Sequence, residues 1–188
     1  MRGGPLAVLA EEGNHVSPCP RGVRRILVAG VATFLGLSGL APHQAAAEDP
    51  SFLTLSAGYF DVVHDDDAAA AFGAEWMSSW RMLWVLQPVV GAMATTDGGL
   101  YGYAGVGTDI FFGNRWVLTP SAAIGAFDEG GGLDLGSTTE FRVAVSFAYR
   151  FDDRSRLGLR FYHMSNGGIS ERNPGVEVLD FTYSIPLR

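Results

Sequence analysis

Hydrophobic and polar residues alternate along most of the chain after residue 48. Within residues 142–151, Val143, Val145, Phe147 and Tyr149 fall on one side, and smaller or charged residues fall on the other. Successive side chains of a strand point to opposite faces, so this pattern predicts β-strands with one apolar face. Eight runs share this character, and turn-forming clusters separate them: 52–61, 69–76, 82–94, 101–112, 116–127, 138–151, 156–165 and 177–187.

The runs have the properties of strands that cross a membrane. Most are close to the roughly 9–11 residues that a tilted strand needs to span a bilayer. Gly and Ala are frequent on their polar faces, which suits a narrow, filled barrel interior, and aromatic residues cluster near their ends, as in interfacial girdles. The aromatic residues near run ends are Tyr59, Phe60, Trp76, Trp80, Trp84, Tyr101, Phe111, Phe112, Trp116, Phe127 and Phe151.

The connections between the runs alternate in length. Longer, acidic or glycine-rich connections occupy 63–68, 95–99, 128–136 and 166–176, and tighter ones lie between them. Bacterial outer-membrane barrels have long outer loops and short periplasmic turns. The pattern therefore predicts an all-β protein: an eight-stranded antiparallel transmembrane β-barrel of the bacterial outer membrane, formed by residues 48–188.

The first 47 residues have the features of a targeting segment. Three arginines between positions 21 and 25 precede the apolar stretch 26–40, and three alanines at 45–47 offer a cleavage site. The apolar stretch is shorter than the roughly 20 residues that a spanning helix needs. We therefore expect residues 1–47 to be an N-terminal extension followed by a cleaved signal peptide.

Composition and isolated motifs exclude several functions. The net charge is -7 and the 13 basic residues form no patch, which argues against a nucleic-acid partner. Cys19 lies ahead of the apolar stretch, so the mature chain would have neither disulfides nor a catalytic thiol. The glycines within 102–107 precede no predicted helix, so they are not a phosphate loop. His64 and the three aspartates at 65–67 fit a solvated acidic loop better than a cation site.

The last two runs carry candidate chemistry on one face. Arg156 and Arg160 should point into the barrel, because a charge on the lipid face is costly. His163 and Ser165 then continue the lipid-facing row of the same strand, and Glu177 begins the lipid-facing row of the next one. A nucleophilic serine, a histidine base and a carboxylate that orients the histidine are the components of an acyl-transfer site.

Donors for a tetrahedral oxyanion follow in the adjacent connection. Asn166, the backbone amides at Gly167 and Gly168, and Asn173 are the candidates. Ionisable groups on a lipid-facing wall are expensive, which favours a functional interpretation. The alternative is a hydrated histidine and glutamate at headgroup level that take part in no reaction.

One segment resembles a known family. Residues 161–169 read FYHMSNGGI and residues 173–177 read NPGVE. Together they resemble the signature of the lipid A 3-O-deacylases (PagL-like acyloxyacyl hydrolases) in residue type and in spacing. The likeness is close over about the last 30 residues.

The resemblance implies an outer-membrane enzyme that hydrolyses the ester-linked 3-hydroxyacyl chain at the 3-position of lipid A. His163, Ser165 and Glu177 fall on the catalytic positions of the family. Asn173 falls on an asparagine that assists the oxyanion, and Gly168 falls on a backbone donor. The implied partner is lipid A, or lipopolysaccharide, in the outer leaflet, with no metal and no cofactor.

Two other functions stay open at this point. A non-catalytic small barrel, adhesin-like or structural, would act through its acidic outer loops. A barrel acyltransferase would use the same catalytic groups with a different acyl acceptor. The candidate triad argues against the first, and only product analysis separates the second from a hydrolase.

Overall fold

The computed structural model describes residues 49–64 and 68–187. The expected extension and signal peptide, residues 1–47, lie outside this part of the chain. None of the described residues forms a helix that is long and apolar enough to cross a membrane. Within the described ranges nine strands are formed, β1 to β9 in chain order: Ser51–Phe60, Ala69–Met77, Gln87–Thr95, Leu100–Gly107, Ile110–Phe112, Trp116–Asp128, Thr139–Arg150, Arg156–Ser165 and Val176–Leu187.

All strand pairs are antiparallel and the sheet closes on itself. β1 pairs with both β2 and β9, and β6 pairs with β7 on one side and with β4 and β5 on the other. β4 and β5 are therefore two parts of one interrupted strand, and the barrel has eight strands when they are counted together. Closure removes the unpaired strand edges that would otherwise be exposed. The predicted fold class, an eight-stranded antiparallel barrel, is confirmed.

The predicted run 82–94 is wrong at its beginning. Met82 and Leu86 form an isolated bridge, and Leu83 and Trp84 between them adopt positive φ angles of 50° and 64°. Positive φ angles are unfavourable for bulky side chains, so the apolar run does not indicate that the backbone adopts them here. The strand starts only at Gln87.

The predicted run 101–112 is interrupted in the middle. Thr108 and Asp109 separate β4 from β5. The Asp109 carboxylate accepts hydrogen bonds from the Thr119 hydroxyl at 2.7 Å and from the Arg156 guanidinium at 2.8 Å. The break thus directs the Asp109 carboxylate toward the barrel interior, where it pairs with the Arg156 guanidinium.

The connections divide between the two ends of the barrel as expected. One end carries the connections that follow β1, β3, β6 and β8, and we call it the outer end. The other end carries the connections at 78–86, 113–115 and 151–155. Since β8 runs toward the outer end and β9 returns from it, the last residues of β8 and the first of β9 lie together there.

Charged residues of β8 point into the barrel, and this fixes which face of the strand meets the surroundings. Arg160 forms ion pairs with Asp180 at 2.8 Å and with Glu75 at 3.4 Å, and Arg142 joins Glu75 at 3.3 Å. The residues of β8 that alternate with its inward-facing arginines, such as Leu159, form part of the exposed apolar wall. His163 and Ser165 follow in this outward row.

We expect Arg160→Ala to destabilise the barrel strongly. Both Arg160 and Asp180 are almost fully buried, so the substitution leaves a carboxylate inside without its cation. Removing one partner of a buried pair typically costs about 3–5 kcal/mol. The measurement is the urea concentration at which half of the barrel is unfolded in detergent. The difference in gel mobility between the folded and unfolded forms reports the unfolding.

Arg115→Ala is the matched control. Arg115 pairs with Asp152 at 2.7 Å, but both side chains are exposed. Surface pairs of this kind contribute about 0–1 kcal/mol, so the midpoint should barely move. Equal losses of stability in the two variants would contradict the importance of the interior pair.

Candidate functional site

β8 and β9 bring His163 and Glu177 directly opposite one another. The Nδ1 atom of His163 lies 2.9 Å from Oε1 of Glu177, within hydrogen-bond distance. The side chains are 32% and 21% exposed. Directly opposed residues of an antiparallel pair have neighbouring side chains, so the register alone makes this contact. The histidine and the carboxylate of the predicted triad are thus brought together.

Ser165 ends β8, two residues beyond His163 on the same outward face. It is half-buried and lies opposite Phe141 of β7. Its hydroxyl has no hydrogen-bond partner in the described part of the chain. With Nδ1 of His163 directed at Glu177, Nε2 is the ring nitrogen that remains for accepting a proton. Among the described residues, the structure thus joins His163 to Glu177 by a hydrogen bond but forms none between His163 and Ser165.

Asn166 organises the loop that follows. It is completely buried, and its side-chain nitrogen donates to the carbonyl oxygens of Leu135, at 2.9 Å, and Arg172, at 2.7 Å. Its side-chain oxygen accepts the amide of Gly168 at 2.9 Å. The predicted donors at Asn166 and Gly168 are therefore both engaged, within this loop and, for Asn166, also with the connection between β6 and β7.

Asn173 is the predicted donor that stays available. Its side-chain oxygen accepts the backbone N–H of Asn166 at 3.1 Å, which fixes the amide group over the end of β8. Its side-chain nitrogen has no hydrogen-bond partner among residues 49–64 and 68–187. Of the side chains considered from sequence, this nitrogen is the one free to meet a developing oxyanion.

Gly175 is a residue whose importance the sequence analysis missed. Its φ is +71°, and a Cβ atom built on it would lie 2.7 Å from Cε1 and 3.3 Å from Nε2 of His163. Only glycine leaves room for the ring, so the backbone at Gly175 packs against His163 and limits its orientations. The Asn-Pro-Gly sequence is a turn signal, but it does not indicate what the turn packs against.

We expect Gly175→Ala to lower turnover of an ester substrate roughly 10–100-fold, because displacing a catalytic group by about 1 Å can cost this much. The added methyl group and the left-handed backbone both force the loop or the ring to move. Turnover by the purified barrel is the measurement. Gly113→Ala is the control: Gly113 also has positive φ, at +64°, but nothing lies within 4 Å of its built Cβ. Equal losses in both variants would contradict a specific role for Gly175.

Metal ligation has no support in the described ranges, where no group of three or more His, Cys, Asp or Glu side chains is arranged to hold an ion. The aspartates at 65–67 lie outside these ranges. The cation site that His64 and these aspartates could have formed is therefore not described.

Comparisons with known proteins agree on one family. A family model described as lipid A 3-O-deacylase (PagL) matches residues 68–186. The lipid A deacylase PagL of Bordetella bronchiseptica is 36% identical over 50 residues, which are 27% of this chain and 28% of that protein. The lipid A deacylase PagL of Pseudomonas aeruginosa is 29% identical over 84 residues, 45% of this chain and 40% of that protein. The aligned stretches thus span less than half of the length of these relatives.

Solved structures share the fold. The crystal structure of the outer membrane enzyme PagL superposes with a TM-score of 0.57 at 18% identity, and covers 72% of this chain and 99% of its own. A designed transmembrane β-barrel reaches a TM-score of 0.50 at 12% identity, over 74% and 96% of the two chains. With the family model matching most of the described barrel, the chain belongs to the lipid A 3-O-deacylase (PagL) family and is an outer-membrane β-barrel.

Proposed function

We propose that this protein is a lipid A deacylase, a serine esterase that hydrolyses the ester-linked 3-hydroxyacyl chain at the 3-position of lipid A. One observation carries the proposal. In a member of this family, His163 and Glu177 are hydrogen-bonded at 2.9 Å on the outer face of the barrel, beside Ser165. These are the groups that ester hydrolysis needs, at the membrane surface where an outer-leaflet lipid would meet them.

In the first half of the proposed reaction, the Ser165 oxygen attacks the ester carbonyl carbon while Nε2 of His163 takes the serine proton. The Glu177 carboxylate stabilises the imidazolium that forms. The negative charge on the former carbonyl oxygen requires hydrogen-bond donors, and the free side-chain nitrogen of Asn173 is one. Collapse of the intermediate breaks the bond to the sugar oxygen, which takes the proton from His163 and leaves an acyl-serine.

In the second half, water replaces the sugar. His163 removes a proton from the water, the resulting hydroxide attacks the acyl-serine, and collapse returns the proton to Ser165. The products are a 3-hydroxy fatty acid and lipid A with a free 3-hydroxyl group. The mechanism uses only side chains and amides of this chain and calls for no cofactor.

The surroundings of the site suit an acyl chain. Phe141 lies opposite Ser165 in the sheet, and Phe161 lies opposite Leu179 two outward-facing rows further toward the membrane interior. All three apolar side chains are exposed on the outer wall. A bound acyl chain would run along this wall, with the ester at Ser165 and the sugar at the level of the loops.

Mass spectrometry of lipid A from cells that produce the parent protein or Ser165→Ala tests the proposal. Loss of one 3-hydroxyacyl mass, only with the parent, is the expected result, and the size of the loss identifies the chain. Both proteins must be folded in the outer membrane, which gel mobility reports. Unchanged lipid A in the presence of folded parent protein would overturn the proposed activity.

A further inference from the structure

The two carboxylate oxygens of Glu177 have different surroundings. Oε1 is hydrogen-bonded to His163, but Oε2 is shielded from solvent and has no hydrogen-bond partner in the part of the chain that the structure describes. A buried acceptor left without a donor is costly, and more so when it is charged. Nδ1 of His64, which is able to donate, lies 3.8 Å from Oε2.

The turn that contains His64 is hydrogen-bonded to the backbone of Glu177. The backbone N–H of Val62 donates to the backbone oxygen of Glu177 at 3.0 Å. Just before it, Asp61 is buried and has a positive φ of 60°, which turns the chain away from the end of β1. The turn after β1 therefore follows the start of β9, and the place of His64 beside Glu177 comes from this docking.

We propose that His64 is a positioning residue for Glu177, donating from Nδ1 to Oε2 once a lipid substrate covers the site. This inference rests on the proposed function and goes beyond it, since His64 belongs to neither the triad nor the oxyanion donors. The proposal requires the 60% exposed His64 side chain to rotate, so that the 3.8 Å between Nδ1 and Oε2 shortens to a hydrogen bond. Glu177 would then be held by a histidine on each oxygen.

The contribution of the contact between His64 and Glu177 depends on whether a lipid substrate covers the site. In water, a pair at this distance and exposure contributes little. A lipid that covers the wall excludes water and lowers the local dielectric constant, which strengthens the attraction. The contribution then appears in the covered complex, where charge develops on His163. We therefore expect an effect on kcat and little effect on KM.

The charges around His64 give the contact a pH signature. The described ionisable groups near it are Asp61, whose Oδ1 is 3.7 Å from Nδ1, and Glu177, with His163 on the far side of that carboxylate. A protonated His64 competes with a protonated His163 for the same negative charge. Removing His64 should therefore move the acid limb of the pH–rate profile, where His163 takes up its proton, to higher pH.

Kinetics of three variants on purified lipid A test the proposal. His64→Ala should lower kcat roughly tenfold, the typical effect of losing a hydrogen bond to a charged group, with KM unchanged within about twofold. His64→Asn has an amide nitrogen near the position of Nδ1 that can donate but cannot titrate. It should restore most of kcat and keep the acid limb of His64→Ala.

Val63→Ala is the control in the same turn. Val63 is exposed, and its side chain can neither donate a hydrogen bond to Glu177 nor carry a charge, so the kcat and the acid limb of Val63→Ala should match those of the parent. Parental kcat and parental acid limb in His64→Ala would overturn the proposal. So would an equal loss in Val63→Ala, because the effect would then belong to the turn as a whole.

Histidine NMR in the Ser165→Ala background separates this inference from the proposed function. The titration of the His163 ring is followed in micelles that contain lipid A, so that lipid covers the site, with His64 present and with His64→Ala, and it needs no turnover. A shift of the His163 titration to higher pH supports the coupling through Glu177 even if the parent hydrolyses no lipid A. An unchanged titration, in a parent that does hydrolyse lipid A, overturns the role of His64 and leaves the proposed function standing.

Discussion

Ser165→Ala is expected to lower lipid A deacylation at least roughly thousandfold and to leave the barrel folded. The Ser165 oxygen is the nucleophile that attacks the lipid ester in the proposed mechanism, and alanine removes it. The side chain is half-buried and its hydroxyl makes no hydrogen bond with the described residues, so the fold does not depend on it. The measurement is the rate of 3-hydroxy fatty acid release from lipid A in detergent micelles.

Ser121→Ala is the matched control. Ser121 lies in β6 opposite Ala144 of β7, away from the site. The control substitution also replaces a serine in a strand by alanine. It should keep the parental rate. Turnover close to the parental rate in folded Ser165→Ala would contradict a serine mechanism, whatever the behaviour of the control.

Glu177→Gln is expected to lower kcat about 10³–10⁴-fold, as the loss of charge at the corresponding acid does in serine proteases. The glutamine amide can donate to Nδ1 of His163, which holds the ring proton on Nε2. In that tautomer the histidine cannot take the proton of Ser165. The size of the fall follows from this change of proton position, because glutamine and glutamate have nearly the same shape.

The exposed acid Glu171, in the connection between β8 and β9, supplies the control. Glu171→Gln makes the same chemical change at the same end of the barrel without touching His163, so its kcat should be parental within about twofold, as for surface substitutions. A Glu177→Gln variant with kcat within tenfold of the parent would show that the carboxylate does not orient the histidine.

The sequence sufficed to predict the fold and the arrangement of His163 and Glu177. Alternation identified the strands, and the cost of a charge in lipid assigned Arg160 to the interior and therefore His163 to the exterior. An antiparallel connection between β8 and β9 then required that His163 and Glu177 meet. Each step depends on residues that are close in sequence or adjacent in a sheet, which is why a pattern can reveal it. The family predicted from the last 30 residues is confirmed as well, and so is the outer-membrane location predicted from the strand pattern and from that resemblance.

What the sequence could not predict depends on contacts between distant loops. The side chain of Asn166 is occupied by the backbone of Leu135, 31 residues away, which no local pattern indicates. The positive φ angles at Leu83 and Trp84 contradict their own conformational preferences. Gly175 matters because of the ring behind it. The catalytic roles of His163, Ser165 and Glu177, and the cleavage of residues 1–47, stay predictions.

Because His163 and Ser165 project from the outside of a closed barrel, the protein forms only one wall of the proposed active site, and the surrounding lipids would form the other. Substrate would then arrive by diffusion within a plane. The rate would be set by the mole fraction of substrate among the lipids at that surface and not by its bulk concentration. Diluting a fixed amount of lipid A with inert detergent should slow the reaction even when the volume stays constant.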